Sequence, residues 1–420
     1  MPPVRAPRIS LCAAAWPGMR GRERFAWLAF GCALLGASRA AADSGSSEAS
    51  WFSILAPGKG RPALVGDAAC GSCHAAHAHT FHQTAHARTS VLASAATIQG
   101  SFAPGANLLH TANPDLTFVM EEVAGGFRQT ARLRKENGEE VTRSESIDIV
   151  VGSGRKGQSY LYWDGDRLSQ LPVSHWTEFD GWINSPGYVD GTADFDRPIN
   201  PRCLECHASS FANLDAPSNR YDRTSLVLGI SCERCHGPGS EHVARFRSAT
   251  PPAHPADFGI VNPARLSRAR QLDICALCHE GAGTSRTPPL TFTAGDPLAE
   301  NLSFPRLPDN AHVDVHASQV QLLERSRCFR SSRTMTCTTC HDVHVAQRDP
   351  AAFSPKCLGC HQLQDCRRFP TLGAAIAGRC VDCHMPLQET AKIISRNDGV
   401  ASHPKVRNHQ IAVYPGLAGP

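Results

Sequence analysis

One pentapeptide pattern, Cys-x-x-Cys-His, occurs seven times in this chain of 420 residues. With 18 Cys and 20 His in the chain, random order would produce only about 0.04 such pentapeptides, so chance does not explain the repetition. We number the pentapeptides motifs 1 to 7 in chain order: CGSCH at Cys70, CLECH at Cys203, CERCH at Cys232, CALCH at Cys275, CTTCH at Cys337, CLGCH at Cys357 and CVDCH at Cys380.

This spacing is typical of covalent c-type haem attachment, in which two thiols bond the porphyrin and the adjacent imidazole binds its iron. In a helical turn, positions i, i+3 and i+4 share one face, so Cys203, Cys206 and His207 can all point at one ring. The sequence therefore predicts seven covalently attached haem c groups. The predicted attachment residues are Cys70, Cys73, Cys203, Cys206, Cys232, Cys235, Cys275, Cys278, Cys337, Cys340, Cys357, Cys360, Cys380 and Cys383. The predicted proximal iron ligands are His74, His207, His236, His279, His341, His361 and His384.

Two other kinds of site use paired cysteines. Zinc ribbons and knuckles contain Cys-x-x-Cys, but zinc does not require a His directly after every second Cys. A disulfide framework is also disfavoured, because two Cys only three positions apart usually serve redox or metal chemistry.

The composition agrees with a protein whose interior is filled partly by cofactors. Apolar residues make up 41% of the chain, and we expect the protein without haem to be poorly ordered. The formal charge of +4 omits roughly two propionates per haem, so the haem-loaded protein should be net acidic. The sequence contains no basic stripe with interleaved aromatic residues, so it does not indicate nucleic-acid binding.

The first 42 residues resemble a secretory signal. Basic Arg20, Arg22 and Arg24 precede an apolar run over 25–37, and small residues follow it. The run is short for a bilayer span, so an uncleaved N-terminal membrane anchor is the minor alternative. We therefore expect a bacterial protein that is periplasmic, secreted or on the cell surface.

The remaining chain divides by composition. Residues 43–63 are rich in Ser, Gly and Pro and predict a flexible linker, and 64–110 form the first haem-binding segment. Short β-branched and apolar runs separated by Gly turns predict a small antiparallel β insertion over 111–200, between motifs 1 and 2. Six crowded motifs make 201–390 the multihaem core, and 391–420 a tail with distal His candidates. The predicted fold is mainly α with much irregular coil, threaded by haems.

The sixth ligand of each iron determines what the haem can do. Seven of the 20 His belong to the motifs, so 13 remain, whereas only Met120, Met335 and Met385 lie beyond the predicted signal. Bis-His ligation should therefore dominate. His344 follows His341 too closely to cap the same iron, so it should reach a neighbouring haem, and His242 follows motif 3 in a similar way.

Several segments from Gly66 to Ile411 resemble the multihaem cytochromes related to the tetrahaem electron carrier of nitrifying bacteria and, more distantly, to pentahaem nitrite reductase. The segments are CGSCH followed by Phe81 and Thr84-Ala85-His86, VGSGRKGQSYL at Val151, GISCERCHGPGSEHV at Gly229, SRCF at Ser326, CTTCHDVH at Cys337 and CVDCHMP at Cys380. The resemblance implies distal iron ligands at His86, His242, His344 and His409. His110, His316 and His403 are secondary distal candidates.

The chain departs from the catalytic members of that superfamily. The resembling nitrite reductases bind their catalytic haem through Lys in place of the motif His, whereas all seven motifs here end in His. The hydroxylamine-oxidising relatives link a haem to Tyr, and no motif singles out a Tyr in this chain. Beyond the predicted signal, two cysteines lie outside the motifs, Cys328 and Cys366. We expect them to form a disulfide, with free thiols or an iron ligand as alternatives.

These patterns predict an exported heptahaem cytochrome that moves electrons through a chain of mostly bis-His haems. Its partners would be redox donor and acceptor proteins or quinol-linked membrane complexes. The alternative is a multihaem oxidoreductase that acts on a small inorganic nitrogen or sulfur compound at one haem with an open coordination position. A scaffold or sensor that reports redox state is a third class, without a supporting motif.

Overall fold

The structure of the chain is a computed structural model that describes residues 63–216, 218–281, 283–308, 318–390, 393–397 and 399–414. The predicted signal over 1–42, all of the predicted linker except residue 63, and the secondary distal candidate His316 lie outside the described residues. Within these ranges, every helix is too short or too polar to span a bilayer.

Between motifs 1 and 2, apolar runs separated by glycine turns form two antiparallel sheets. The turn that joins β3 to β4 contains Gly125 with φ of 95°, a backbone conformation that glycine adopts without steric cost. The strands are β1 Ser90–Leu92, β2 Leu108–His110, β3 Leu116–Val123, β4 Gly126–Arg134, β5 Glu140–Ser146, β6 Ile149–Val151, β7 Gly157–Asp164, β8 Arg167–Gln170, β9 Val173–Trp176, β10 Gly181–Asn184 and β11 Arg197–Pro198. The four-stranded sheet has the order β2-β3-β4-β5, and the seven-stranded sheet has the path β1-β6-β7-β8-β11, with β9 paired to both β7 and β10.

The two sheets share one apolar core. Phe118 of β3 and Tyr160 of β7 are fully buried in it, together with Phe195. The side-chain amide of Gln129 on β4 is also fully buried, where it donates to the carbonyl of Val173 at 2.7 Å and accepts from its N–H at 3.0 Å. Hydrogen bonds of Gln129 thus join the two sheets, in addition to the apolar contacts of the shared core.

A second apolar cluster attaches motif 2 to the seven-stranded sheet. Ile149 and Leu161 of the sheet pack with Leu204, which lies between the two cysteines of motif 2. The hairpin of β12 (Ala208–Asn213) and β13 (Tyr221–Leu228) contributes the fully buried Tyr221, whose hydroxyl donates to the carbonyl of Ile199 at 2.7 Å. The strands therefore form the base on which motif 2 rests.

The rest of the described chain contains short helices and small hairpins. Its longest helix, Arg268–His279, has 12 residues and ends in motif 4. The α-helices are Asp67–Gly71, Ala75–Phe81, Pro201–His207, Glu233–His236, Ser240–Phe246, Arg268–His279, Leu298–Asn301, Gln319–Glu324, Arg327–Ser331, Ser354–Leu358, Phe369–Leu372 and Cys380–His384. The later hairpins pair β14 Thr284–Ser285 with β15 Leu302–Ser303, β16 Leu387–Glu389 with β19 Lys405–Arg407, and β17 Ser395–Asn397 with β18 Val400–Ser402.

The predicted mainly α fold is therefore wrong. The structure is mixed, with 28% helix and 25% strand and several antiparallel sheets. The strands between motifs 1 and 2 are not a small insertion, because they start at Ser90 and form eleven strands in two sheets that carry the largest apolar core among the described residues. Further hairpins lie among the later motifs, where only helices and coil were predicted.

The C-terminal part of the described chain has little conventional core. Beyond Phe329, and prolines aside, the buried apolar residues within the described ranges are only Ile376, Val381 and Val406. Motifs 5, 6 and 7 all lie in this part of the chain. A segment that buries so few apolar side chains needs another source of order, and covalently held macrocycles would supply it.

Candidate haem-binding sites

Each motif is built so that its thiols and imidazole can face one ligand. In motif 1 the His74 N–H donates to the carbonyl of Cys70 at 2.9 Å, and in motif 5 the His341 N–H donates to that of Cys337 at 2.9 Å. Motifs 3 and 6 contain the same bond at 3.0 Å. This bond closes one helical turn, which places the two cysteines and the following His on one side of the backbone. None of the fourteen motif cysteines takes part in a disulfide, so all of them are available for attachment.

Four motif histidines lie ring to ring with histidines from elsewhere in the chain. His74 pairs with His242 at a centroid separation of 6.1 Å and an interplanar angle of 18°. The other three pairs are His236 with His344 at 6.0 Å and 26°, His341 with His409 at 6.2 Å and 26°, and His279 with His86 at 6.0 Å and 79°. The four non-motif rings are the four main distal candidates, and each lies opposite a different motif.

The ring separations agree with an iron between the two imidazoles. An imidazole binds a metal at about 2 Å, and its ring centre lies about 1 Å behind the ligating nitrogen, so two axial rings should be about 6 Å apart. The surface of His279 is exposed, and desolvation by the protein atoms packed around it lowers its pKa to about 4. A flat macrocycle fits such a site, and the residues present suit haem.

Hydrogen bonds fix which nitrogen of several rings is free. His236 donates from Nδ1 to the Val261 carbonyl at 3.1 Å, and His242 donates in the same way to Phe258 at 2.8 Å. His409 donates to Arg407 at 3.2 Å. A ring that donates from Nδ1 keeps the lone pair of Nε2 available for a metal.

Burial also keeps these rings neutral, which metal binding requires. Burial lowers the pKa of His409 to about 4, and it lowers the pKa of His86, His236 and His341 as well. In His236 the hydrogen bond to Val261 opposes this effect without cancelling it.

The remaining candidates have other surroundings. His207 of motif 2 is 2.8 Å from the Thr89 hydroxyl, and His384 of motif 7 donates from Nδ1 to Ala412 at 2.9 Å. The ring pairs formed by the described residues do not include His361 of motif 6 or His384. His403 donates from Nδ1 to Thr390 at 2.9 Å, and His110 is exposed at the end of β2.

The motifs contact one another. Cysteines of different motifs lie close together, as in the pairs Cys70 with Cys232, Cys206 with Cys278, Cys275 with Cys337, and Cys357 with Cys380. The ring of His341 in motif 5 packs edge to face on Phe353, just before motif 6, at 5.1 Å. Motif 1 therefore adjoins motif 3, motif 4 adjoins motifs 2 and 5, and motifs 5, 6 and 7 follow one another.

Hydrogen bonds reinforce this arrangement. Arg202, directly before motif 2, donates to the carbonyl of Leu277 in motif 4 at 2.7 Å, and Arg234 of motif 3 donates to that of Glu205 in motif 2 at 3.1 Å. Arg268, at the start of the helix that ends in motif 4, donates to Met335 before motif 5 at 2.8 Å.

Buried carboxylates in and beside the motifs were not anticipated from the sequence. Glu205 of motif 2 is 4% exposed, bonds Arg202 at 2.6 Å and accepts the N–H of Leu290 at 2.9 Å. Glu280, which directly follows motif 4, accepts the N–H of Val320 at 3.0 Å.

Cys328 and Cys366 do not form the predicted disulfide. Both carry free thiols in the structure. Cys328 instead lies near Cys340 of motif 5 and Cys357 of motif 6. The sequence spacing of Cys328 and Cys366 could not predict that the folded chain places Cys328 near motifs 5 and 6.

Comparisons with known proteins agree with this array. Residues 184–237, which include motifs 2 and 3, match the family described as "Cytochrome c554 and c-prime". The chain is 26% identical over 178 residues to "Multiheme cytochrome MtrA" of Shewanella baltica (strain OS185), a match that covers 38% of this chain and 51% of that protein. Over these segments the chain is similar to multihaem c-type cytochromes. The match spans about half the length of the curated relative.

Two solved structures align with this chain. The outer cell wall cytochrome OcwA aligns with a TM-score of 0.53 at 15% identity, covering 83% of this chain and 79% of that one. The undecahaem cytochrome from the S-layer of Carboxydothermus ferrireducens aligns with a TM-score of 0.35 at 15% identity, covering 71% and 43%. The likeness to OcwA indicates a shared fold. The narrower predicted relationship to the nitrifier carriers and pentahaem nitrite reductase stays a prediction.

Proposed function

We propose that this multihaem cytochrome is an exported electron carrier that holds seven haem c groups and moves electrons among them. The observation that carries the proposal is the contact between motifs, because the hydrogen bonds from Arg202 to Leu277 and from Arg234 to Glu205 keep neighbouring attachment sites together. When bound, the haems supply one-electron redox chemistry. The protein supplies their attachment, spacing and axial ligands.

We assign four distal ligands from the ring pairs. His242 serves the haem of motif 1, His344 that of motif 3, His86 that of motif 4 and His409 that of motif 5. Every assignment joins a motif to a His from another segment, so ligation would tie distant parts of the chain together. Two imidazole ligands stabilise low-spin iron at lower potential than a His and Met pair.

The protein residues keep these ligands in their binding form. Desolvation keeps His279 and His409 uncharged at neutral pH, and the carbonyl partners of His236 and His242 orient their free nitrogens.

Export and partners follow from the sequence together with the chemistry. The basic and apolar segment at the N-terminus resembles a secretory signal, and covalent haem attachment in bacteria takes place outside the cytoplasmic membrane. We therefore propose a periplasmic or cell-surface location. Redox donor and acceptor proteins, or quinol-linked membrane complexes, are the proposed partners.

Spectroscopy of the purified haem-loaded protein tests the carrier against the oxidoreductase. A carrier should give low-spin electron paramagnetic resonance signals and should not turn over nitrite, hydroxylamine or sulfite with a reduced dye. Binding of carbon monoxide to the reduced protein, together with turnover of one of these compounds, would favour the enzyme. Binding without turnover would refute fully bis-His ligation and leave electron transfer as the function.

A further inference from the structure

Glu233, the residue after the first cysteine of motif 3, has an unusual set of bonds. Its side chain is buried, with 7% exposed, and its carboxylate accepts three backbone N–H groups. Oε1 accepts from Val65 at 2.9 Å and from Gly239 at 2.8 Å, and Oε2 accepts from Gly66 at 2.8 Å. Hydrogen bonds from backbone N–H groups to a carboxylate are typically shorter and stronger than neutral ones, so Glu233 holds two segments firmly.

The three donors lie at the starts of two helices. Val65 and Gly66 directly precede the helix Asp67–Gly71, which carries Cys70 of motif 1. Gly239 directly precedes the helix Ser240–Phe246, which carries His242. Glu233 therefore holds the segment that bears the motif 1 attachment site and the segment that bears its proposed distal ligand.

Other contacts support the same junction. Asp67 lies in the helix that carries Cys70 of motif 1, and its carboxylate accepts the N–H of Cys232 of motif 3 at 2.9 Å. Ser240 and Ala63 exchange two further bonds, at 2.8 and 3.1 Å. A Cβ at Gly239 would lie 3.0 Å from a Val65 methyl group, so the two segments approach as closely as glycine allows.

We infer that Glu233 is a positioning residue that sets the distance between His74 and His242 across the motif 1 haem. The inference rests on the proposed function, because it takes His242 as the distal ligand of that haem. Glu233 does not touch the imidazoles and acts through the two segments whose N–H groups it binds. Groups outside the ligand shell that orient the ligands typically matter nearly as much as the ligands themselves.

Two substitutions in the full haem-loaded protein test this role. Glu233→Ala removes all three bonds, whereas the amide oxygen of Glu233→Gln can still accept from Val65 and Gly239. Glu241→Gln is the matched control, because Glu241 lies beside His242 in sequence but is half exposed and bonds Arg245 on the surface. Each protein is first shown to carry the same number of haems as the wild type.

Carbon monoxide binding to the reduced protein is the readout, since it reports a loosened axial ligand at one haem. Glu233→Ala should bind about one more carbon monoxide per chain than the wild type, with Glu233→Gln in between and Glu241→Gln unchanged. If the Ala protein does not accumulate, Glu233→Gln should bind carbon monoxide at least about twofold faster than the wild type. Binding by either Glu233 variant that matches the control overturns the inference.

His242→Ala separates this inference from the proposed function. If His242 is the distal ligand, its removal should add about one carbon monoxide site per chain. No added site would refute the ligand assignment, whatever Glu233 does. An added site in His242→Ala without any change in the Glu233 variants would refute only the positioning role.

Discussion

Arg202 links motifs 2 and 4, so its replacement by Met tests whether contacts between motifs stabilise the array. Its guanidinium bonds the Glu205 carboxylate at 2.6 Å and also donates to the carbonyl of Leu277 at 2.7 Å. The Arg202 side chain is 18% exposed and that of Glu205 is 5% exposed, so this ion pair is largely removed from water. Met keeps the apolar stem of Arg202 and removes only the charge and the donors.

The expected cost follows from the carboxylate left behind. Removing one partner of a buried ion pair typically costs about 3–5 kcal/mol, and the partial exposure of Arg202 places this case near the lower end, at about 3 kcal/mol. Glu205→Gln in the same chain removes the uncompensated charge and should recover about 2 kcal/mol of that cost. The amide oxygen introduced by Glu205→Gln can still accept the N–H of Leu290, so that bond is not lost in the double variant.

Guanidinium denaturation of the haem-loaded proteins, followed by circular dichroism in the Soret region, measures these free energies as a double-mutant cycle. Arg202→Met, Glu205→Gln and the double variant are compared with the wild type. A loss below about 1 kcal/mol for Arg202→Met, or strict additivity of the two substitutions, would show that the pair behaves like an exposed one and would refute the reasoning.

Three further perturbations test other parts of the account. Gln129→Leu leaves the buried N–H and carbonyl of Val173 unpaired, so it should lower the free energy of unfolding by about 2 kcal/mol, and an unchanged denaturation midpoint would contradict this. Burial lowers the pKa of His175 below 6.5, so protonation favours the unfolded chain and stability should fall as pH drops below 6.5. His175→Asn should reduce that fall, and identical pH profiles for the two proteins would exclude this cause. His409→Ala should expose the haem opposite His341 to carbon monoxide, whereas unchanged binding would remove His409 from the ligand set.

The sequence alone located the candidate sites but not their pairing. Seven repeats of a short motif mark chemistry directly, and the close placement of His242 and His344 behind motifs indicated ligation of neighbouring haems. Which motif each distal His faces depends on how distant segments meet, so the approach of His86 to His279 could only be seen in the folded chain.

The fold was less accessible to sequence reasoning for a physical reason. Crowded motifs favour short helices, and that pattern led to a mainly α prediction for the whole chain. The β-branched and aromatic runs around Phe118 and Tyr160 were recognised, but their extent was underestimated because two sheets that share a core depend on long-range packing. The buried position of Glu233 was missed because an isolated Glu is ordinarily assigned to the solvent-exposed surface.

The central claim is that haem is covalently attached at all seven motifs. Intact-mass spectrometry of the protein, purified under denaturing conditions from a host that matures c-type cytochromes, tests this claim most directly. The account predicts a red protein whose mass exceeds that of the processed chain by about seven haems. A folded, colourless protein that carries zinc, or a chain without covalently retained haem, would contradict it.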